Sequence, residues 1–147
     1  MTDLPSLLQN IQNFSQQLLD CLKLEKQMLD NNQLQELTEI SNQKQTLLEQ
    51  LNQLDKLRAA TAAGKNFNAF ITDSKNQPLI KQWNSTRKII AACQQQNEIN
   101  GRLLHKRSLI NQDILCILSG RDQQADETYN AHGNQVGSAS LFNGIKA

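Results

Sequence analysis

The 147-residue sequence predicts an all-α protein, an antiparallel three-helix bundle or coiled coil followed by a flexible C-terminal tail. Aromatic residues make up 4% of the chain, and β-branched runs typical of strands are rare, so no sheet is expected. The chain has 2 prolines and 6 glycines, which leaves long stretches without helix breakers. In those stretches, leucine and isoleucine recur at three- and four-residue steps, the period of an amphipathic helix.

The bundle is predicted to cover residues 1–120, and its first two helices residues 3–29 and 33–63. The connection between these helices is short, so they should form an antiparallel hairpin. Asn31 or Asn32 is expected to cap the second helix, because an asparagine side chain accepts a bond from the first free N–H groups. The expected core face of the second helix begins with leucine and ends with arginine: Leu34, Leu37, Ile40 or Ser41, Lys44, Leu47, Leu48, Leu51, Leu54 and Arg58.

A less regular segment, residues 64–78, separates the hairpin from the third helix, which is predicted for residues 79–119. Within the segment, Phe67, Phe70 and Ile71 are expected to form one helical turn over the end of the bundle. The third helix carries two adjacent apolar stripes, wide enough to meet two partner helices. The stripes are Ile89, Ala92, Gln96, Ile99, Leu103, Ile110, Ile114 and Ile117, and beside them Trp83, Ile90, Asn97, Leu104 and Leu118.

Residues 121–147 have no periodic stripe and hold three of the six glycines, a composition that predicts a mobile tail. The N-terminus lacks the pattern of a signal peptide, and no stretch approaches the roughly 18 apolar residues of a membrane span. We therefore expect a cytoplasmic protein. The net charge of +1 gives no reason to expect nucleic acid or membrane insertion.

No arrangement of residues indicates catalysis. His105 and His132 are the only histidines, and His105 has no carboxylate or cysteine three or four residues after it in the helix. The motifs of metalloproteases, redox thiols, phosphate loops and nucleophile elbows are absent. The three cysteines are predicted to be small buried hydrophobes. We therefore expect no enzyme activity, metal or cofactor.

Protein binding is the remaining class of function. The C-terminal half of the third helix would lack cover if the first helix ended before reaching it, and it would then form a groove for an amphipathic helix. Two other interpretations stay open for the same residues: they belong to the core, or they form a homodimer seam.

Several segments in order carry a resemblance to a known family. They are DNNQLQELTEISNQKQTLLEQLNQLDKLR in the hairpin, Trp83, NEINGRLL in the third helix, ILCILSG at its end, and ETYNAHG after it. In this combination the chain resembles the FlgN family of flagellar export chaperones, from the first helix to Gly133. The resemblance implies a cytosolic, non-enzymatic chaperone of type III secretion. Such a chaperone binds the disordered, helix-forming C-terminal segments of hook-associated proteins of the FlgK and FlgL type.

The resemblance also implies roles for single residues. The client-binding role falls on the latter half of the third helix, at Leu103, Leu104, Ile110, Ile114 and Ile117. The resemblance assigns docking to the membrane export gate to Tyr129. The alternative is that the Tyr129 ring folds back on the bundle.

Three further residues match the family pattern, and we expect a structural role for them. Asn97 and Asn100 would fix the register of a helical seam, and Gly101 would allow a close backbone approach or a bend.

Two other hypotheses differ in class. A self-associating coiled-coil scaffold without a client would be a tight homodimer, whereas the chaperone should be a monomer or a weak homodimer. A nucleic-acid adaptor acting through Arg102, Lys106 and Arg107 would show steeply salt-dependent binding.

Overall fold

The structure is a computed structural model that describes residues 3–119. Those residues form four helices, which are α1 (Leu4–Asp30), α2 (Leu34–Thr61), the short α3 (Phe67–Asp73) and α4 (Gln77–Ser119). The all-α bundle is thus confirmed, with helix ends within two residues of the predicted ones. The predicted tail lies outside the described residues and stays a prediction.

α1 is the central helix, because it packs closely against both α2 and α4. Near the hairpin turn, the Cys21 thiol lies 3.7 Å from the Ile40 carbonyl oxygen, which sets α2 antiparallel to α1. In the contacts between α1 and α4, the residue numbers instead rise together along both helices. Gln82 donates to the Pro5 carbonyl, Cys93 to the Ser15 carbonyl and Asn100 to the Leu22 carbonyl, so these two helices are parallel.

The core between α1 and its two neighbours consists mainly of leucine and isoleucine. Full burial of such a side chain contributes about 1.5 to 3 kcal/mol. Its most deeply buried apolar members are Leu8, Ile11, Leu18, Leu22, Leu29, Leu51, Ile71 and Cys93. On α4 the buried residues include polar Thr86 and Asn100, whereas Ile89, Ala92 and Ile99 of the predicted main stripe are only half-buried.

The short helix α3 closes one end of the bundle, as the predicted helical turn over the bundle end required. Phe67 is buried and meets Trp83 edge-on, with ring centroids 4.6 Å apart. The guanidinium carbon of Arg58 lies 4.9 Å from the Phe67 ring centroid, while Arg58 Nε is 2.6 Å from Asp55 Oδ1. Trp83 Nε1 donates to Asn68 at 2.7 Å, so this aromatic cluster leaves no indole N–H unsatisfied.

The hairpin turn differs from its prediction in two details. Asn32 does not cap α2 but adopts a left-handed backbone with φ of 57° and accepts a bond from Arg107, and Gln33 takes the cap position without a side-chain bond. Leu34, placed on the core face by its spacing, is 58% exposed. The reason is its position as the first residue of α2, at the end of the hairpin, where no neighbouring helix covers it.

Candidate functional site

The C-terminal part of α4 extends beyond the hairpin. Arg107 Nη1 donates to Asn32 Oδ1 at 2.7 Å, so Arg107 is level with the turn between α1 and α2. Beyond Arg107, α4 continues for twelve more residues and ends at Ser119. We call these residues, 108–119, the α4 overhang. At about 1.5 Å per residue, the overhang is roughly 18 Å long.

The overhang and the turn before it expose an unusual amount of apolar surface. Isolated exposed leucines are normal on a protein surface, but a contiguous group indicates an interaction site. The exposed fractions are Leu104 58%, Leu109 37%, Ile110 48%, Leu115 64%, Ile117 79% and Leu118 78%. At about 100° per residue, all of them except Leu109 lie within an arc of roughly 160° around the helix. These five side chains form the candidate binding surface, and Leu109 lies outside it.

The predicted client-binding residues fall on this surface to different degrees. Leu104, Ile110 and Ile117 are exposed, and Leu103 is half-buried at the edge of the bundle. Ile114 lies in the helix, but its side chain is outside the described residues. Their binding role stays a prediction. Tyr129, the predicted gate-docking residue, also lies outside the described residues.

Leu115 belongs to the exposed surface but was not singled out from the sequence. It lies three residues before Leu118 and eleven after Leu104, so it shares their side of the helix at about 100° per residue. The seven-residue spacing of the second stripe passes through Asn111 instead and therefore skips it. A three-residue step back from Leu118 would have found Leu115.

The predicted seam residues separate in the structure. Asn100 is buried, and its side-chain nitrogen donates to the Leu22 carbonyl and to Glu25 Oε1, both at 2.8 Å. Asn97 is half-buried beside it. Gly101 is exposed, and a Cβ built there meets nothing within 4 Å, so the close approach of another backbone is not found among the described residues.

A buried polar layer connects the three long helices at this level. Lys44 Nζ of α2 lies 3.6 Å from Glu25 Oε1 of α1, and the same carboxylate accepts from Asn100 of α4. Gln96 donates to the Asn100 side-chain oxygen at 3.0 Å. Because all these groups have partners, the layer fixes the relative position of the helices just before the overhang begins.

Polar and charged side chains border the exposed apolar surface on its bundle side. His105 and Lys106 are exposed, and Arg102 pairs with Glu98 one helical turn earlier at 2.7 Å. An exposed pair of this kind contributes only about 0 to 1 kcal/mol. The pair therefore adds little to the stability of the bundle.

The buried thiols do not form a reactive site. Burial, with a smaller effect from Asp20, raises the pKa of the Cys93 thiol to about 12. Burial and the nearby Glu25 also raise the pKa of Cys21. Both thiols are therefore protonated near neutral pH and behave as small hydrophobic side chains.

Other features of residues 3–119 are weaker candidates for a functional site than the exposed end of α4. An open depression of about 470 Å³ between the beginnings of α1 and α4 is lined mainly by polar side chains, among them Gln9, Gln12 and Gln82. This part of the chain holds no group of three or more His, Cys, Asp or Glu side chains placed to bind a metal. No helix within it is both long enough and apolar enough to cross a membrane.

Comparison with known proteins now identifies the family. The model of the FlgN protein family matches residues 1–137, which includes the whole bundle and the exposed end of α4. No curated protein and no solved structure matches the chain. The chain belongs to the FlgN family, whose members are flagellar export chaperones rather than a known class of enzymes.

Proposed function

We propose that this chain binds the disordered, helix-forming C-terminal segments of hook-associated proteins, of the FlgK and FlgL type, on the exposed end of α4. The chaperone acts in the cytoplasm, prevents premature assembly of these clients and delivers them to the type III export gate. The observation that supports this proposal is the apolar surface from Leu104 to Leu118, which the rest of residues 3–119 leaves exposed. An amphipathic helix is the usual occupant of such a surface.

The physical chemistry of the surface suits a chaperone that releases its client. A disordered client loses conformational entropy when it folds on α4, and this cost offsets part of the energy of apolar burial. Affinity is then moderate, and the client can leave without hydrolysis of ATP.

Calorimetric titration with a C-terminal peptide of a hook-associated protein, together with circular dichroism, tests the proposal. Saturable binding with added helicity and a negative heat-capacity change is expected. Leu104→Asp should weaken binding at least about tenfold, because it removes roughly 1 kcal/mol of apolar burial and places a carboxylate in the contact.

A matched control is available on α2. Leu57 is 52% exposed, close to the 58% of Leu104, but lies on the far side of α2 from the core. Leu57→Asp should leave peptide binding unchanged, and both variants should keep the melting temperature. A peptide that gives no heat, in a sample that sediments as a stable dimer, would instead support the self-associating scaffold.

Gate docking is a separate part of the proposal and is assigned to Tyr129. An aromatic side chain with a polar hydroxyl is a frequent anchor at protein interfaces. Tyr129→Ala should abolish binding to the cytosolic domain of the gate protein while the client peptide binds as before. Equal loss of both activities would mean that Tyr129 supports the bundle instead.

A further inference from the structure

We propose that the exposed end of α4 takes two helical segments of its client, one on each of two adjacent apolar stripes. This inference rests on the proposed function and specifies the form of the bound client. The seam stripe consists of Leu104, Leu115 and Leu118. The flank stripe consists of Leu103, Ile110 and Ile117.

The seam stripe continues the contact that α4 already makes with α1. The buried residues of α4 follow one another at four- and three-residue steps as far as Cys93, and Asn100 comes seven residues later. The same alternating steps counted onward from Asn100 reach positions 104 and 118. Leu115 lies about 20° from Leu104 around the helix, at about 100° per residue. A client helix on the seam stripe therefore takes the place that α1 occupies in the bundle and extends its path beyond the turn at residues 31–33.

The flank stripe has an exact seven-residue spacing, which extends back to Gln96, Ile89 and Gln82. These earlier positions are half-buried at the edge of the bundle, and Gln82 bonds to the side chain of Gln9 at 3.1 Å. Beyond the hairpin the exposure rises, to 48% at Ile110 and 79% at Ile117. The stripe therefore loses its cover where α1 ends.

The two stripes together are too wide for one helix. At about 100° per residue, they span roughly 160° around α4, from Leu115 to Ile117, with Leu118 and Leu103 about 60° apart at the border between them. An apolar stripe that packs on one neighbour is about 100° wide. A single client helix would thus leave part of this arc in water, whereas two helices side by side cover it.

The dimensions also define the client. Each segment needs about three helical turns to follow the roughly 18 Å of the overhang. Helices that short are marginal in water, so both segments are disordered until they bind. Lys106 is exposed beside the flank stripe, near the bundle, and fits a carboxylate on the segment that lies there.

Hydrogen exchange of the bound peptide, read by mass spectrometry, tests this inference on the full chain. The peptide from the C-terminal end of a hook-associated protein should show two protected segments separated by an unprotected link. Leu115→Asp on the seam stripe should remove protection from one segment, and Ile110→Asp on the flank stripe from the other. Each variant should weaken the affinity about tenfold.

Leu109 provides the matched control, because it lies about 140° from Leu104 in the opposite direction, outside both stripes. Leu109→Asp should leave both segments protected. One protected segment, or loss of the same segment in both stripe variants, would overturn the two-segment arrangement while the chaperone function stands. Absence of any binding would overturn both proposals.

The chain's own residues 121–147 are the competing occupant of one stripe. A variant that ends at Gly120 should show the same two protected segments as the full chain. If the second segment becomes protected only in that shortened variant, the tail holds one stripe in the full chain and the inference is wrong.

Discussion

Replacement of Asn100 by leucine should destabilise the bundle by about 2 kcal/mol. The Asn100 amide donates to the Leu22 carbonyl and to the Glu25 carboxylate, both at 2.8 Å. Together such bonds contribute about 2 to 4 kcal/mol, with the larger share from the charged acceptor. Leucine returns about 1 to 2 kcal/mol through extra apolar burial.

The protein loses stability on balance because the substitution removes Asn100 and leaves Glu25 and Lys44 buried. Glu25 stays 8% exposed with Lys44 Nζ at 3.6 Å as its remaining ionic partner. A loss of about 2 kcal/mol in a chain of this size lowers the melting temperature by roughly 6 °C.

Urea denaturation, followed by circular dichroism and by the fluorescence of buried Trp83, measures this change. Gln95→Leu, at an exposed neighbouring position, is the control and should leave the midpoint unchanged. A variant that replaces Glu25, Lys44 and Asn100 together by apolar residues should regain the lost stability. If Asn100→Leu alone is as stable as the parent protein, the polar layer does not stabilise the bundle and our reasoning fails.

Three further changes test other parts of the fold. Gly101→Ala should stabilise the protein by about 1 kcal/mol, because alanine is the better helix former and its Cβ meets no neighbour; a lower urea midpoint would show that the backbone there needs glycine. The pKa of the Cys93 thiol is raised to about 12 in the folded state. The stabilisation from keeping this thiol neutral is therefore complete below pH 9 and is lost as the pH rises toward 12. Cys93→Ala should therefore flatten the pH dependence of the unfolding free energy in that range, by up to about 1.4 kcal/mol per pH unit, and an unchanged slope would contradict this cause. Trp83→Phe removes the 2.7 Å bond to Asn68 and should cost about 1 to 3 kcal/mol in thermal unfolding, whereas an unchanged midpoint would mean that water replaces the bond.

Two helix ends have local signals in the sequence, whereas the start of α2 does not, because Asn32 bonds to Arg107 of α4 instead of capping it. Asn76 precedes Pro78 in the sequence, and in the structure its side chain accepts a bond from the Leu79 N–H at 3.2 Å. Gly64 has the left-handed φ of 84° that a stop after α2 requires. In both places a few neighbouring residues determine the conformation, so no tertiary information is needed.

The buried face of α4 was less predictable because part of it is polar. The apolar pattern favoured Ile89, Ala92 and Ile99, which are only half-buried. Thr86 and Asn100 are buried instead, since their polar groups are satisfied there. The Asn100 partners lie 75 and 78 residues away in the chain, and hydropathy cannot detect such a bond.

Prediction of the candidate surface required the register between α1 and α4, which the spacing of apolar residues does not contain. The sequence indicated that α4 is longer than α1, 43 residues against 27 in the structure, but a length difference does not say which end projects. The bond from Arg107 to Asn32 decides that question in favour of the C-terminal end.

The parallel register of α1 and α4 has a consequence for the order of folding. Contacts between α1 and α2 close a short hairpin, whereas the polar bonds between α1 and α4 join residues 73 to 78 positions apart. The entropy of closing a loop grows with its length, so the hairpin forms first and α4 docks afterwards. During synthesis, the hairpin leaves the ribosome with one side of α1 still uncovered. The helix that completes the core is therefore the last to be synthesised, and its final turns are the ones without a neighbour among residues 3–119.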